Sequence, residues 1–497
     1  MSKVVRSAFI WNIGGFAVQV ISLLAQTVIV SRLLTPEEVG IYFVSRSFLG
    51  ILKSIPNSGA MYALASLPRL RNIHFRMMSG VISLAGLIQA CVALLGCGVA
   101  YLWLGPNPMV IAIALLSFTC LFEGQQLTSE SLMMRRLDYR PIVTADAVSF
   151  AASITTILAL SPFINSFLLL TIAAYSESIA RLIALKVPTW HETKLWIPKW
   201  RIIRKTLNHS FKITLSRLLS LVATQGDKII VGGALGAGAA GNYGRGQNLI
   251  NAPLTAYGRV VNKVLMPAAA NEKLSGVSLS WVTSAALTLS VRFGIFAGVA
   301  MWVLGRPVVD VLLGPGWGDV AIVLQITGLL IVFRFLFKAL DSVVVGQRLV
   351  KPSIIGQAIQ GGSSLVALFV GVQFGLAGAC WAVSLAQFLS ALYYIYAVLK
   401  HKMITVPEML ASLGKSTLEA GLLSLPVFGA YWLLESAQAG TWVKIIVLGL
   451  LLAAWGGYVV LSLKKSGLGK KKKKKDSKEE ESEERAALPP EPMDLDG

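Results

Sequence analysis

The chain has 497 residues, of which 55% are hydrophobic and only 14% are charged, whereas soluble proteins contain roughly 45–50% apolar and about 25% charged residues. This composition excludes a set of ordinary soluble domains and predicts an integral membrane protein, because the apolar residues fall in blocks that reach the ~20 residues needed to cross a bilayer. The net charge of +20 does not indicate nucleic acid, since six lysines form the single run Lys470–Lys475 and no aromatic residues interleave with the basic ones.

The apolar blocks, taken in chain order, predict an all-α polytopic membrane protein with about fourteen transmembrane helices. The basic N-terminal segment Met1–Arg6 leads directly into an apolar block that is too long for a signal peptide, so we interpret this block as the first span. Turn residues such as Pro36, Gly236 and Gly375 mark many of the junctions. The spans are expected at about residues 8–31, 40–65, 77–103, 108–131, 141–161, 166–187, 207–231, 239–265, 278–305, 319–345, 353–373, 377–399, 416–435 and 442–463.

The loops between the predicted spans alternate in charge. One set is basic, with Arg71, Arg136 and Arg348 as examples, and the other is nearly free of Lys and Arg. Because Lys and Arg are retained on the cytoplasmic side of a membrane, we expect the basic loops and both termini to be cytoplasmic, which requires an even number of spans. The outer loops are all short, which disfavours an external catalytic domain.

A short motif occurs twice, at the outer ends of the first and the seventh predicted spans, with every match displaced by 201 residues. The matching residues are Val30, Leu34, Gly40 and Tyr42 in the first copy and Val231, Leu235, Gly241 and Tyr243 in the second. Because six spans separate the copies, the repeats run in the same direction and predict two pseudo-symmetric six-helix lobes, related by an axis along the membrane normal. The predicted domains are an N-terminal lobe (1–187), a basic cytoplasmic linker (188–206), a C-terminal lobe (207–400), two additional C-terminal helices (401–465) and a disordered charged tail (466–497).

Five segments carry patterns that resemble a known transporter family. They are Ser31–Tyr42 in the first lobe and Asp227–Gly236, Gly241–Tyr243, Asn262–Pro267 and Leu313–Trp317 in the second. The chain is similar over residues 1–465 to the polysaccharide transporters, the O-antigen and exopolysaccharide flippases of the multidrug/oligosaccharidyl-lipid/polysaccharide exporter superfamily.

The resemblance implies a flippase of the bacterial inner membrane that carries undecaprenyl-pyrophosphate-linked oligosaccharide repeat units to the outer leaflet by alternating access. It also implies membrane lipids, a polysaccharide polymerase and a chain-length regulator as partners. A flippase of this family is expected to have no catalytic residues and no cofactor. Three alternatives stay open. A lipid II flippase fits the same fold and charge, a cation-coupled multidrug exporter is disfavoured by the basic excess, and a membrane glycan polymerase is disfavoured by the short outer loops.

Charged and polar residues inside the predicted spans are candidates for substrate contacts. A charge at mid-bilayer costs about 2.5–3.5 kcal/mol, so each one needs a physical reason. A cationic central cavity would supply that reason, because a guanidinium can bond two phosphate oxygens at once and carboxamides suit sugar hydroxyls. The candidates are Arg46, Lys53, Arg217, Arg245, Arg292, Arg334, Lys338, Gln19 and Gln26.

The alternative is that these charges form internal ion pairs or reach the lipid headgroups. Glu177 lies four residues before Arg181 and predicts such a pair. Arg259 is expected to be a headgroup anchor. The spacing also places Arg334 and Lys338 on one helical face with Asp341, Arg46 on one face with Lys53, and Gln19 on one face with Asn12 and Gln26.

The sequence carries no other recognisable chemical motif. The four cysteines lie in apolar blocks without CxxC spacing, which predicts buried, inert thiols, and the four histidines are scattered, so no metal site is predicted. The glycine-rich segment Gly232–Gly241 lacks the lysine of a phosphate-binding loop, so ATP binding is not expected.

Overall fold

The computed structural model describes residues 3–66, 72–136, 138–191, 225–270 and 278–465. The described ranges are built from helices and contain no strand. Most of the predicted linker (188–206), the residue Arg217 and the charged tail (466–497) lie outside them.

Sixteen α-helices and two single 3₁₀ turns occupy the described residues. The helices of the first half are α1 Lys3–Leu33, α2 Pro36–Ser66, α3 Asn72–Leu104, α4 Pro108–Ser117, α5 Thr119–Arg135, α6 Arg140–Leu160 and α7 Phe167–Lys186, followed by the turn Val187–Thr189. Those of the second half are α8 (225–235), α9 Ala237–Ala270, α10 Leu279–Leu312, α11 Gly318–Leu329, α12 Ile331–Gly346, α13 Val350–Gly371, α14 Gly375–Lys400, α15 Val406–Ser436 and α16 Thr441–Lys465, with the turn Val372–Phe374 before α14.

Each of the fourteen predicted spans overlaps a described helix or a bent pair of helices, and the fold class is confirmed. Seven described helices are long and apolar enough to cross a membrane, or up to nine if each bent pair is one span. The charge-bearing helices α2 and α9 are not among them. The protein is therefore a multi-pass membrane protein, while fourteen crossings and the cytoplasmic termini stay predictions.

The bend between α4 and α5 measures 41° and has a local cause. The Ser117 hydroxyl donates to the Ala114 carbonyl at 2.7 Å, and the Thr119 hydroxyl donates to the Leu116 carbonyl at 2.6 Å. Hydroxyls that bond carbonyls of the preceding turn compete with the helical ladder and bend helices. The corresponding pair α11 and α12 in the second half bends by 54°.

The helices form two lobes and an attached pair. Helices α1 to α7 pack against one another, as do α9 to α14, and α15 and α16 pack on α10 of the second lobe. An edge-to-face contact between Phe296 and Trp455, with centroids 5.3 Å apart, joins α10 to α16. The C-terminal pair is therefore an addition to the C-terminal lobe.

The structure brings the two copies of the repeated motif into direct contact. Gly40 of α2 and Gly241 of α9 cross so closely that a Cβ atom on Gly40 would lie well under 3.0 Å from the Ala237 carbonyl oxygen, and one on Gly241 equally close to the Pro36 carbonyl oxygen. Only glycine permits such a backbone approach. The repeat thus marks the seam between the lobes.

Two predictions about individual residues are corrected by the structure. Arg259 donates to the Gln19 carboxamide at 2.8 Å, so it contacts the opposite lobe rather than serving only as a headgroup anchor. Cys91 is exposed on the helix surface, because α3 turns that side outward, while the other three cysteines are buried.

Candidate functional site

Hydrogen bonds hold the two lobes together around the glycine crossing. The Trp317 indole donates to the Ser31 carbonyl at 2.9 Å, and the Arg32 guanidinium donates to the Val311 carbonyl. Trp317 is among the largest fully buried side chains of the described residues. These contacts join the C-terminal end of α1 to the α10–α11 junction and close the seam at that end.

Directly behind this closure, positive charges surround an aromatic ring of the opposite lobe. The Phe43 ring of α2 lies 5.3 Å from the Arg245 guanidinium carbon and 5.9 Å from the Lys228 ammonium. Arg245 also lies 5.8 Å from the Trp317 ring. Cations on an aromatic face are attracted to the ring quadrupole, so these contacts hold positive charge at the seam without neutralising it.

Arg245 is a buried cation without an acidic partner among the described residues. It is 5% exposed, its single hydrogen bond goes to the Thr27 hydroxyl of α1 at 3.4 Å, and its Nε is buried without a bond. An unpaired buried charge is costly, so residues of this kind are retained where a ligand supplies the counter-charge. The sequence prediction that Arg245 contacts substrate remains a proposal that this placement supports.

The N-terminal lobe encloses a polar cavity of about 220 Å³ beside the seam. Arg46 lines this cavity and donates to the Tyr42 hydroxyl at 2.8 Å. Lys53 lies on the same helical face as Arg46 and forms an ion pair with Glu123 at 2.6 Å. Lys53 also donates to Thr119 at 2.8 Å. Lys53 is thus neutralised inside its own lobe, and Arg46 makes no ion pair within 4.0 Å to a described residue.

A second ionic network lies in the N-terminal lobe and reaches the other lobe. Arg181 pairs with Glu130 at 3.2 Å and with Asp146 at 3.1 Å, which replaces the predicted short-range pairing with Glu177 as its close contact. Asp146 accepts from Gln19, which in turn accepts from Arg259 of α9. Gln19 therefore bridges the lobes in the structure.

The C-terminal lobe encloses the counterpart cavity, of about 300 Å³. At the 201-residue offset of the repeat, Arg46 corresponds to Gln247, which accepts a hydrogen bond from Arg334 of α12 at 3.0 Å. Arg334 is 9% exposed. The Arg334 guanidinium of α12 thus lies beside the position that corresponds to Arg46 of α2. Lys338 and Asp341 line the same cavity, so these three residues share one face as predicted.

Arg292 is placed elsewhere. It forms an ion pair with Glu419 of α15 at 2.5 Å, and the Tyr458 hydroxyl of α16 donates to the same carboxylate at 3.0 Å. This cluster fastens the C-terminal pair of helices to the lobe. The ion-pair interpretation therefore suits Arg292 better than substrate contact.

A large apolar cavity of about 700 Å³ lies between α9 and α10. Tyr257, Phe293 and Phe296 contribute aromatic surface, and Leu324 and Phe335 close it from α11 and α12. Its lining is almost wholly hydrocarbon, so it suits an acyl or prenyl chain rather than a polar group.

The structure thus sorts the predicted site residues. Arg46 and Lys53 share the N-terminal cavity, Arg334 and Lys338 share the C-terminal one, Arg245 and Gln19 lie at the seam, and Gln26 is half-buried on α1. Arg217 and the side chain of Asn12 lie outside the described residues. Sequence reasoning overlooked Phe43 and Gln247, although the repeat offset links Gln247 to Arg46.

Comparison with known proteins identifies the chain's relatives. A family described as polysaccharide biosynthesis protein matches residues 29–322. The amylovoran biosynthesis protein AmsL of Erwinia amylovora is 27% identical over 151 residues, which are 30% of this chain and 38% of that protein, so the match spans well under half of the curated relative.

Solved transporter structures share the fold. The inward closed conformation of the lipid II flippase MurJ superposes with a TM-score of 0.72 at 16% identity, covering 92% of this chain and 99% of that one. An inward-facing multidrug resistance MATE family transporter of the MOP superfamily superposes with a TM-score of 0.58 at 16% identity, covering 77% and 94%. At 16% identity, both superpositions show likeness of the fold alone.

Proposed function

The chain belongs to the family of polysaccharide biosynthesis proteins, and from that premise we propose that it moves undecaprenyl-pyrophosphate-linked oligosaccharide repeat units from the inner to the outer leaflet of the bacterial inner membrane. The observation that carries the proposal is Arg245. It is a buried guanidinium at the seam between the lobes, and no described acid neutralises it.

Pyrophosphate fits this position chemically. Two guanidinium groups, Arg245 and Arg46, lie on helices α9 and α2 that meet at the seam, and Lys228 of α8 lies beside the same Phe43 ring as Arg245. Planar guanidinium groups bind phosphate oxygens bidentately and are weakly hydrated, so they favour a phosphate that has left water. Binding would neutralise charge that the resting protein leaves unpaired.

The seam also suits alternating access. At the end that is predicted to face outside, the seam is closed by the glycine crossing, by a few hydrogen bonds to carbonyls and by buried apolar contacts such as Trp317, and all of these would separate on opening. On the inner side the lobes touch through the Arg259–Gln19 bond. Rigid lobes that rock about such a seam would expose the cations first to one leaflet and then to the other.

The apolar cavity between α9 and α10 supports a lipid-linked substrate. Its hydrocarbon lining could hold part of a prenyl chain, while the pyrophosphate remains at the seam.

A second candidate is transport of lipid II, since the superposition with the lipid II flippase extends over 92% of this chain. That likeness concerns the fold alone. The family match and the curated relative both concern polysaccharide biosynthesis, and they favour the repeat-unit substrate.

The test is transfer of a lipid-linked oligosaccharide across proteoliposomes that contain the purified protein. We expect the wild type to move the glycan to the side where an external glycosidase cleaves it. Arg245→Ala should slow transfer by about ten- to a hundredfold, which corresponds to the free energy of one charge-assisted hydrogen bond. Arg245→Lys should restore transfer only in part, because an ammonium lacks the two-pronged geometry. The matched control is Arg306→Ala, an exposed arginine of the outer surface. Equal transfer by wild type and Arg245→Ala would refute the assignment, and transfer of lipid II alone would favour the second candidate.

A further inference from the structure

The polar cavity of the C-terminal lobe has a lining that its N-terminal counterpart lacks. It lies among α8, α9, α12, α13 and α14 and measures about 300 Å³, the lower end of the range of roughly 300–1,000 Å³ for small-molecule sites. Carboxamides dominate its polar wall. They are Gln247, Asn251, Gln357, Gln360 and Gln387.

Helix α13 presents these groups as a continuous stripe. Gln357, Gln360 and Ser364 are spaced by three and four residues and all line the cavity. The Gln360 side-chain amide donates to the Gln387 side-chain oxygen at 3.2 Å, and the Gln387 amide donates to the Ser364 hydroxyl at 3.4 Å. A carboxamide both donates and accepts hydrogen bonds, so the stripe offers a ligand both kinds of partner.

Two of the residues that line this cavity carry a donor without an acceptor among the described residues. Gln247 is 3% exposed, its oxygen is bonded by Arg334, and its Nε2 is buried without a partner. The Lys338 ammonium makes no hydrogen bond or ion pair with a described residue. A buried donor without a partner, such as the Gln247 amide, costs about 1–3 kcal/mol in the empty protein. A ligand with acceptor oxygens would satisfy this amide and bond the half-buried Lys338 ammonium.

The charges of the cavity restrict what that ligand is. Asp227 and Asp341 line it together with Arg334 and Lys338, so the formal charges balance. A pyrophosphate would be repelled by the two carboxylates, and a metal cation by the guanidinium and ammonium. A neutral molecule rich in hydroxyls meets neither penalty. Phe337 adds an apolar surface at the same wall, against which the C–H face of a sugar ring can pack.

We propose that this cavity binds one pyranose residue of the glycan head group, and that it is the site at which the protein distinguishes a glycosylated carrier lipid from the bare one. The proposal rests on the function proposed above, with pyrophosphate at the seam and the sugar in the C-terminal lobe. The side chains placed on the sugar hydroxyls are Gln247, Lys338, Gln357, Gln360 and Gln387.

The N-terminal cavity does not compete for this role. Four of its charged groups pair inside the lobe, Lys53 with Glu123 and Arg181 with Glu130, and its carboxamide, Gln126, donates to the Ser178 carbonyl. The lobes therefore share a fold and a repeat but differ in the chemistry of their interiors.

The test measures binding of two probes to the full-length protein in lipid nanodiscs. The probes are undecaprenyl pyrophosphate that carries a single hexose and undecaprenyl pyrophosphate without sugar. The wild type should bind the glycosylated lipid at least about tenfold more tightly, because several neutral hydrogen bonds are added. Gln387→Leu and Lys338→Met should each reduce that ratio toward one by weakening the glycosylated probe alone. Gln373→Leu, in the exposed turn before α14, is the matched control and should keep the ratio.

The outcomes separate this proposal from the one on which it rests. Equal affinity of the wild type for both lipids, or variants that weaken both lipids equally, would overturn the sugar site while the flippase function stands. Failure of the wild type to bind either lipid would overturn both. A diazirine on the hexose gives an independent readout that needs no variant, since it should label α13 between Gln357 and Leu368, and labelling confined to the N-terminal lobe would contradict the proposal.

Discussion

Replacing Gly40 or Gly241 by alanine should force the outer ends of the lobes apart. A Cβ on either residue would lie well under 3.0 Å from a carbonyl oxygen of the opposite lobe. These oxygens belong to backbone, which cannot rotate away, so the helices must separate. Restoring van der Waals contact requires a shift on the order of 1–2 Å between α2 and α9.

The cost falls on the closed state alone. Overpacking of a close contact costs about 1–3 kcal/mol, which displaces an equilibrium between closed and open outer ends by about 5- to 150-fold. In the open state the same substitution adds a residue of higher helix propensity, by about 1 kcal/mol. We therefore expect Gly40→Ala to be well expressed, to populate the outward-open state and to transport slowly.

The measurement is the distance between spin labels at Glu37→Cys and Ala234→Cys, two exposed positions on either side of the crossing, in a protein without its four native cysteines. Gly40→Ala should lengthen the main distance relative to the parent. The control is Gly238→Ala, one turn from the crossing, where an added Cβ meets nothing within 4 Å. If both variants gave the parent's distance distribution, the glycine crossing would not be the outer closure.

Two further results are expected. Glu419→Gln should lower the melting temperature and loosen α15 and α16, because it leaves the Arg292 charge without its counter-charge. The double substitution Arg292→Met with Glu419→Met should recover most of the lost stability. Equal melting temperatures of all three proteins would show that the pair contributes nothing. Cysteines introduced at Lys351 and Asp310 should react with a membrane-impermeant reagent from the cytoplasmic and the external side respectively, and reversed labelling would overturn the topology.

The fold could be predicted from the sequence to the extent that it depends on periodicity. Helices such as α3 and α10 could be predicted from their continuous apolar stretches. The bend between α4 and α5 left no comparable signal, because it depends on hydroxyls that bond carbonyls of the preceding turn. The bend between α11 and α12 left no comparable signal either.

The site could be predicted only in part, because spacing along one helix says nothing about its neighbours. The spacing along α12 correctly placed Arg334 and Lys338 on one helical face. It could not tell that Arg292 faces Glu419, which lies 127 residues further along the chain, whereas Arg245 faces no described acid. The pairing across helices separates structural charges from candidate binding charges, and it is a property of packing.

The most direct test of the central claim is the leaflet distribution of the lipid-linked glycan in cells that lack this protein. The account predicts that undecaprenyl-pyrophosphate-linked repeat units accumulate in the inner leaflet, that one surface polysaccharide is lost, and that the wild-type protein restores both while Arg245→Ala restores neither fully. Normal surface polysaccharide without accumulation of any lipid-linked repeat unit would contradict the account.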